Sequence, residues 1–598
     1  MEDDTRGWKK FDRIKLDRKQ LAKRVKKAEG ATQRHAHRFV IRRIDNIRLV
    51  TREITVWLLL VGAMIAGLGL QLMWGQDSYM TEGRQDGGTY VEGALGSIDT
   101  LNPLFVSTSA EASVSRLIFS SLYDYDTTGS IHQDVATGMK IDASGQVYTV
   151  TIRDDISWHD NTPLTSKDIV YTINLIKNPL VRSPLRVNWL DVSAKAIDNE
   201  TVEFTLPATY AAFPYALTFP ILPEHVLKTV MPGAVRESTF SRNPVGSGPF
   251  SFRRLQSADG LSAHKTVHLV ASPSYYDGKP KLDRFEIHAY DTEEAIIQAL
   301  KSRELSGASD ISVSAFDDIP KGAYNVTPQA INSGTYLLLN TTNPILKDEK
   351  VRQALQAATD TVALRKALGG QVLPLDLPVL NSQLKGDDVP HLGPVDVMKA
   401  QALLDEAGWK MSGSYRVKDQ QTLELTITTT KDKEYQLSAD IVAKQWQRIG
   451  VKVNQKSVDT TTVSSTFVQD TLQGRNFDIL LYELAIGADP DVYAYWHSSQ
   501  TGQSGYNFAN YSNKTVDATL SSARSRLEPE LRNAKYKQFA KQWLADAPGI
   551  GLYQPVMVYV SNKNAQTVKE GSTLVSSADR YANVQYWTIG GGKVYKTP

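Results

Sequence analysis

Histidines and carboxylates are the first residues to consider for chemistry in this chain of 598 residues, which has ten histidines and no cysteine. His264 and His268 are four residues apart, so they would share one face of a strand, as paired metal ligands can. No further ligand stands at a known metal-site spacing from them, and the sequence predicts exposed strand residues and no metal site. Asp154 and Asp155 are adjacent, so they point to opposite sides of a strand and make a poor acid–base pair.

Motifs for covalent catalysis and nucleotide binding are missing from the sequence. It contains no Gly-x-Ser-x-Gly, His-Glu-x-x-His or Walker motif. The glycine-rich stretch at 243–250, NPVGSGPF, has the flexibility to hold a phosphate, but no Lys-Ser or Lys-Thr pair follows it. We therefore predict a protein that is not an enzyme, with no catalytic residue and no cofactor.

A strand, a turn and a helix are predicted to follow one another in residues 147–172, VYTVTIRDDISWHDNTPLTSKDIVYT. Polar and apolar residues alternate up to Arg153, as in a half-buried strand. Asn161 and Pro163 then favour a turn. Thr165 and Asp168 have the spacing of a capping box at a helix start. This order of elements occurs in many folds and does not by itself identify one.

The residues of this segment closely resemble a segment of the extracytoplasmic solute-binding proteins of the peptide/nickel family, which feed ABC importers. In that family a strand ending in Arg and an acidic pair leads to His-Asp-Gly-Thr-Pro and a Thr-x-x-Asp helix start, and here Asn161 replaces the glycine. Further matches follow in the family's order: NPVGSGPF at 243–250, YLLLNTTNP at 336–344 and KAQALLDEAGW at 399–409. The resemblance covers residues 88–598 and excludes what precedes them.

The resemblance implies an α/β protein with a two-lobed, three-domain periplasmic-binding-protein-like fold (type II, cluster C), preceded by one transmembrane helix. Lobes of this kind close around a ligand by a hinge motion. The implied boundaries are 88–123, 243–338 and 550–598 for domain I, 124–242 for domain II, and 339–549 for domain III.

An apolar stretch at residues 54–74, ITVWLLLVGAMIAGLGLQLMW, would span about 32 Å as a helix, which is enough to cross a bilayer core. Residues 1–53 contain 17 Lys/Arg and 8 Asp/Glu, so the positive-inside rule places the N-terminus in the cytoplasm. A cleaved secretory signal is the alternative, although this leader is longer than such signals. We expect a retained single-pass anchor in the cell membrane, a linker at 75–87 and an extracytoplasmic main body.

The basic tail at 1–53 has two interpretations. Six apolar residues would line one face of a helix lying on anionic lipid: Trp8, Phe11, Ile14, Leu21, Val25 and Ala28. The tail is equally explained as a solvated segment that only sets topology. Its charge would suit phosphate, but nothing in it reads bases, so no nucleic-acid partner is expected.

The resemblance also implies a ligand site between the lobes, partly formed by the segment after a strand at 477–482. Peptide-binding members place an Asp at the position of Ile486 for the peptide's ammonium, and dipeptide binders place an Arg at the position of Thr429 for its carboxylate. Asp489 and Asp491 are better explained as turn-forming residues than as ligands. The candidate substrate-binding residues are Asn340, Thr429, Glu483, Ile486, Gly487, Asp489, Asp491 and Tyr493.

These two departures change the expected ligand. A buried ammonium without an anion costs on the order of several kcal/mol, so a free dipeptide held by both ends is not expected. Longer or capped peptides, glycans or other uncharged solutes fit better, with delivery to ABC permease subunits. The alternative is an anchored sensor or surface-interaction protein that retains the binding fold, since a receptor for import needs no sizeable cytosolic tail.

Overall fold

The computed structural model describes residues 51–84, 86–257, 265–369, 371–460, 467–569 and 571–595, with scattered helical positions between 19 and 31. The chain divides into two compact units, one of residues 1–83 with 592–598 and the other of residues 84–591. The six apolar tail positions and His264 lie outside the described residues.

The first unit contains a helix of 29 residues, Thr51–Tyr79. Its part Thr51–Gln71 is long and apolar enough to cross a membrane by length and composition. This part overlaps the expected anchor at 54–74 over residues 54–71. The strand that follows the helix, Met80–Arg84, pairs with the last described strand, Gly591–Tyr595.

The largest sheet of the second unit has eight strands from distant parts of the chain. The strand Thr89–Leu95 runs parallel to Arg284–Tyr290 and Gly307–Ile311, and the middle of the sheet also holds a strand from near residue 560. In spatial order the strands are Thr573–Leu574, Tyr324–Ile331, Val556–Asn562, Gly307–Ile311, Thr89–Leu95, Arg284–Tyr290, Lys265–Ala271 and Phe250–Ser257. The helices Ser109–Ile118 and Glu293–Lys301 pack against it.

A smaller antiparallel sheet contains the segment that carries the resemblance. Its helix starts as expected, because the Asp168 carboxylate accepts a hydrogen bond from the Thr165 backbone N–H at 2.9 Å. Asn161 has φ of +69°, a left-handed conformation that Asn tolerates better than other side chains and that explains why glycine is usual there. The strands in spatial order are Ala136–Ile141, Val147–Ile152, Thr201–Thr205 and Ser193–Ala196, and the helices are Ser166–Lys177, Arg186–Trp189, Phe213–Ala216 and Glu224–Leu227.

A six-stranded sheet forms the centre of the third domain. In spatial order its strands are Leu373–Pro374, Gly549–Gln554, Ser333–Leu339, Ile479–Ala485, Glu424–Thr430 and Lys452–Val458. The helices around it are Glu349–Ala357, Thr361–Ala367, Val397–Glu406, Lys433–Gln447, Tyr493–Trp496, Lys514–Ser525 and Pro529–Asp546. A small three-stranded sheet contains Lys410–Ser412, Tyr415–Lys418 and Gln421–Thr422. Two two-stranded sheets pair Tyr123–Tyr125 with Ile131–Gln133, and Ala565–Gln566 with Thr588–Ile589.

The strand Ser333–Leu339 is buried at every position, because apolar layers cover both faces of the six-stranded sheet. Leu337 and Leu339 belong to one apolar cluster, and Tyr336 and Leu338 belong to another on the opposite face. Alternate side chains of one strand thus enter two separate cores, as the period of two requires.

The chain passes between the eight-stranded and six-stranded sheets at Asn332 and Pro555. Each is the single residue between two strands that belong to different sheets. The expected domain boundaries, 338/339 and 549/550, therefore differ from the sheet memberships, which place Ser333–Leu339 and Gly549–Gln554 in the third domain. The difference arises because the hydrophobic pattern of a strand buried on both faces does not change at the residue where the chain passes from one sheet to the other.

Candidate functional site

The candidate residues Ile486 and Gly487 lie at the crossing between the two large sheets. The Asn332 carbonyl accepts hydrogen bonds from the backbone N–H groups of Ile486, at 3.1 Å, and Gly487, at 2.8 Å. Gly487 has φ of +80°, which a residue with a side chain rarely adopts. Gln383 donates to the Gly487 carbonyl at 2.9 Å. The segment is thus fixed by its backbone, and the Ile486 side chain is buried in an apolar cluster of the third domain.

Glu483 lies beside the same crossing and faces a cavity of about 470 Å³. Its carboxylate accepts hydrogen bonds from the Ser333 hydroxyl at 2.5 Å and from the Tyr435 hydroxyl at 3.1 Å. Glu434 lines this cavity and a second one of about 370 Å³. Burial raises the pKa of Glu434 to about 6. The wall of the cavity of about 470 Å³ also contains Asp432, Asp459 and Lys431, so it holds four carboxyl groups and one ammonium close to the point where the lobes join.

Thr429 and Asn340 are occupied by hydrogen bonds inside the third domain. The buried Thr429 hydroxyl donates to the Leu481 carbonyl at 3.4 Å. The Asn340 amide donates to the Phe477 carbonyl at 3.1 Å and accepts from the Thr342 hydroxyl at 2.7 Å. Neither residue lines one of the described cavities, and their binding roles stay predictions.

The turn at 489–491 is held by two arginines. Asp489 accepts two hydrogen bonds from the Arg532 guanidinium, both at 2.7 Å, and one from the Asp491 backbone N–H at 3.1 Å. Asp491 pairs with Arg524 at 3.1 Å. Burial raises the pKa of Asp491, and the Arg524 charge opposes that change. Both carboxylates are thus occupied within the protein, and the interpretation of Asp489 and Asp491 as turn-forming residues stays a prediction.

Tyr493 belongs to a contact between the lobes that sequence reasoning did not identify. The Arg524 guanidinium lies between two rings, 4.7 Å from the Tyr493 centroid and 4.6 Å from that of Tyr210. The Ala211 N–H donates to the Arg524 carbonyl at 3.0 Å. Tyr210 and Ala211 follow the four-stranded sheet, whereas Arg524 and Tyr493 belong to the third domain. We call this set the interlobe clasp.

A third cavity, of about 520 Å³, lies at the junction of the first and second domains, and no candidate site residue lines it. Its walls come from 103–125, 184–189, 215–220 and 575–579. These are mainly apolar side chains that look like ordinary core residues in a sequence. Only their convergence in space from four separate segments marks them.

Metal binding has no support within the described residues. No group of three or more His, Cys, Asp or Glu side chains there is arranged to hold a metal ion. His268 instead contacts the Glu286 carboxylate at 3.0 Å, and His288 contacts the same carboxylate at 3.3 Å.

Two α/β lobes joined at strand crossings, with cavities beside the junction, define the class of two-lobed solute-binding proteins. Residues 130–506 match the model of the bacterial extracellular solute-binding proteins, family 5 (middle region). The chain belongs to this family, which consists of solute-binding proteins rather than enzymes. The resemblance of its motifs and the expected fold class are thereby confirmed.

Known proteins similar to this chain cover most of it. It is 27% identical over 525 residues to the oligopeptide-binding protein AppA of Bacillus subtilis, covering 84% of this chain and 92% of that one. The structure of CtaP, an ABC transporter substrate-binding protein from Listeria monocytogenes, is 26% identical with a TM-score of 0.73, over 84% of this chain and 100% of that one. NikZ from Campylobacter jejuni, solved in complex with Ni(L-His), is 27% identical with a TM-score of 0.70, over 84% and 99%.

Proposed function

We propose that the protein is a membrane-anchored extracytoplasmic receptor that captures a peptide or related solute between its two lobes and delivers it to an ABC permease. The observation that carries the proposal is the pair of crossings at Asn332 and Pro555, beside a cavity of about 470 Å³. A junction of two connections allows the lobes to rotate and enclose a ligand. AppA is named an oligopeptide-binding protein and CtaP a transporter substrate-binding protein, which supports the same conclusion.

The proposed ligand is a longer or capped peptide, or another solute without charged ends, rather than a free dipeptide. Ile486 has a hydrocarbon side chain that is buried among apolar residues, so this position offers no carboxylate to a ligand ammonium. Thr429 is neutral, and its hydroxyl is already bonded to a backbone carbonyl. A dipeptide held by Ile486 and Thr429 would therefore receive no counter-charge from either of these two side chains.

The proposed anchor is the helix over residues 54–74, with the basic tail in the cytoplasm and residues 88–595 outside. The apolar part Thr51–Gln71 supports a membrane span, and the excess of Lys/Arg in 1–53 supports the orientation. An anchor of this kind would hold the receptor close to its permease.

Mass spectrometry of small molecules released by denaturing the purified chain tests the ligand proposal. The expected result is a peptide or a solute without charged ends. Recovery of a tightly held free dipeptide would refute the interpretation of Ile486 and Thr429.

The basic tail favours one alternative, an anchored sensor that has kept the binding fold. Capture of the detergent-solubilised chain with its bound proteins separates the two functions. Permease subunits in the captured material support delivery. A cytosolic partner without permease subunits supports sensing.

A further inference from the structure

The cavity of about 520 Å³ between the first and second domains, here called the chamber, has the size of a ligand pocket. Small-molecule sites enclose roughly 300–1,000 Å³ and are lined mainly by apolar and aromatic side chains. The chamber is partly open to solvent, as a binding cleft is, so a ligand group can enter it.

Apolar side chains dominate the chamber wall. Leu104 and Trp189 are buried in the packed layer of the wall, while Val106 and Ala216 are partly exposed on it. Leu185 is half-buried on the same wall. A surface of this kind favours an apolar group leaving water and offers nothing to a solvated ion.

The charged side chains of the wall already have partners. Arg116 and Asp124 form an ion pair. The Asp579 carboxylate accepts hydrogen bonds from the Ser576 N–H at 2.6 Å and from the Ser576 hydroxyl at 3.0 Å. A charged ligand group entering the chamber would lose its water and would have to compete with these existing contacts for a counter-charge.

The chamber adjoins the other lobe. Tyr215 and Ala216 line it from the helix Phe213–Ala216, and Ala211, just before that helix, donates to the Arg524 carbonyl of the third domain at 3.0 Å. A ligand held at the junction of the lobes is therefore close enough to extend an uncharged group into the chamber.

We propose that the chamber binds a bulky, uncharged apolar group of the captured solute, such as an aromatic or branched aliphatic side chain. This inference rests on the proposed solute-binding function and adds the chemical class of the group that gives specificity.

Calorimetry on the full chain in nanodiscs tests the class, with capped pentapeptides Ac-Ala-Ala-X-Ala-Ala-NH2 in which X is Ala, Leu, Phe, Lys or Glu. We expect the Phe peptide to bind at least about tenfold more tightly than the Ala peptide, and the Lys and Glu peptides more weakly than Phe by a similar factor. Equal affinities across the series, or a preference for Lys or Glu, would overturn the proposal.

Two variants test whether the peptide preference measured by calorimetry arises in the chamber. Ala216→Trp fills part of it and should weaken the Phe peptide at least about tenfold, because a large side chain then occupies the ligand's space. Leu185→Arg places a cation in the wall and should move the preference from Phe to Glu, a gain that misfolding does not produce. Ala143→Trp, on an exposed turn, is the matched control and should change neither affinity. Unchanged preferences in both chamber variants would contradict the assignment.

A photoactivatable probe separates the failure of this inference from the failure of peptide capture. The neutral compound N-acetyl-4-benzoylphenylalanine amide is irradiated with the full chain, and the labelled residues are mapped by mass spectrometry. Labels on 103–125, 184–189 or 215–220 that are lost in Ala216→Trp support ligand binding in the chamber. If these labels appear but no pentapeptide binds, the result counts against peptide capture and not against the chamber. Labels confined to other segments would overturn the chamber proposal even if the pentapeptides bind.

Discussion

The Ile486 backbone N–H donates to the Asn332 carbonyl at the crossing between the sheets, while its side chain packs inside the third domain. We predict that Ile486→Asp lowers the free energy of unfolding by about 2–4 kcal/mol, because a carboxylate there is buried without a partner. Ile486→Val, which removes one methylene, should cost about 1 kcal/mol. Urea unfolding followed by tryptophan fluorescence measures both. A stable Asp variant that binds peptides with a free ammonium more tightly would show instead that this side chain faces the cleft.

The stability of the protein should depend on pH through the side chain of Glu434. Burial raises its folded-state pKa from 4.5 to about 6, so the folded protein binds this proton more tightly than the unfolded chain. Stability from this group is therefore greatest below pH 4.5, decreases as pH rises towards 6, and changes little above that value. The decrease should amount to about 2 kcal/mol.

The variant Glu434→Gln should lose this decrease, because its amide does not titrate. Urea midpoints measured between pH 4.5 and 7 in the parent and the variant give the comparison, and the exposed Glu237→Gln serves as control. Parallel pH profiles for the parent and Glu434→Gln would contradict the prediction.

Individual residues also show how far sequence reasoning reaches. Thr165 and Asp168 cap their helix as predicted, and Gly408 has φ of +87° at the end of its helix, because both features depend on neighbours within a few residues. The contact of Arg524 with Tyr210 could not be predicted, since it joins positions more than 300 residues apart. The chamber could not be predicted for the same reason, because distant segments form it and its apolar residues have the sequence pattern of ordinary core residues.

The interlobe clasp is the element that links the second domain to the third. Arg524 lies between the rings of Tyr210 and Tyr493 and pairs with Asp491, so its removal leaves a buried carboxylate without its cation. We predict that Arg524→Ala opens the lobes and weakens ligand binding about tenfold.

Spin labels measure this opening directly, because the chain has no cysteine of its own. Labels at Ala143→Cys and Lys514→Cys, one exposed position on each lobe, should give a longer and broader distance distribution when Arg524→Ala is added. Arg526→Ala removes a nearby exposed arginine and should leave the distribution unchanged. Identical distributions in all three proteins would exclude a role for the clasp in closure.

The strand crossings at Asn332 and Pro555 show where pattern reasoning fails at the scale of an element. Alternation and the turn that follows predict the strand that ends near Arg153, and the structure has it at Val147–Ile152. The change of sheet after Ile331 leaves no such mark, since Tyr324–Ile331 and Ser333–Leu339 are separated by only one residue. Sheet membership depends on distant partners.

The proposed topology of the whole molecule, a membrane anchor before a binding body, can be tested in cells. We predict that protease added to intact protoplasts digests residues 88–595 and spares the tail and the span, because the bilayer shields only residues 1–74. Immunoblotting with antibodies to each part measures the outcome. Protoplasts opened by detergent provide the control, in which both parts are digested. Survival of the main body in intact protoplasts would reverse the proposed orientation.

The position of Val556–Asn562 has a consequence for how the protein is made. This strand lies inside the eight-stranded sheet between Tyr324–Ile331 and Gly307–Ile311, and Gly549–Gln554 lies inside the six-stranded sheet. Each of these two sheets lacks an interior strand until residues 549–562 have left the ribosome and crossed the membrane. Until then both sheets present unpaired strand edges, which attract other chains. A translocating chain stalled before residue 549 can complete its four-stranded sheet but neither of the two large sheets, so it is expected to depend on chaperones at the outer surface.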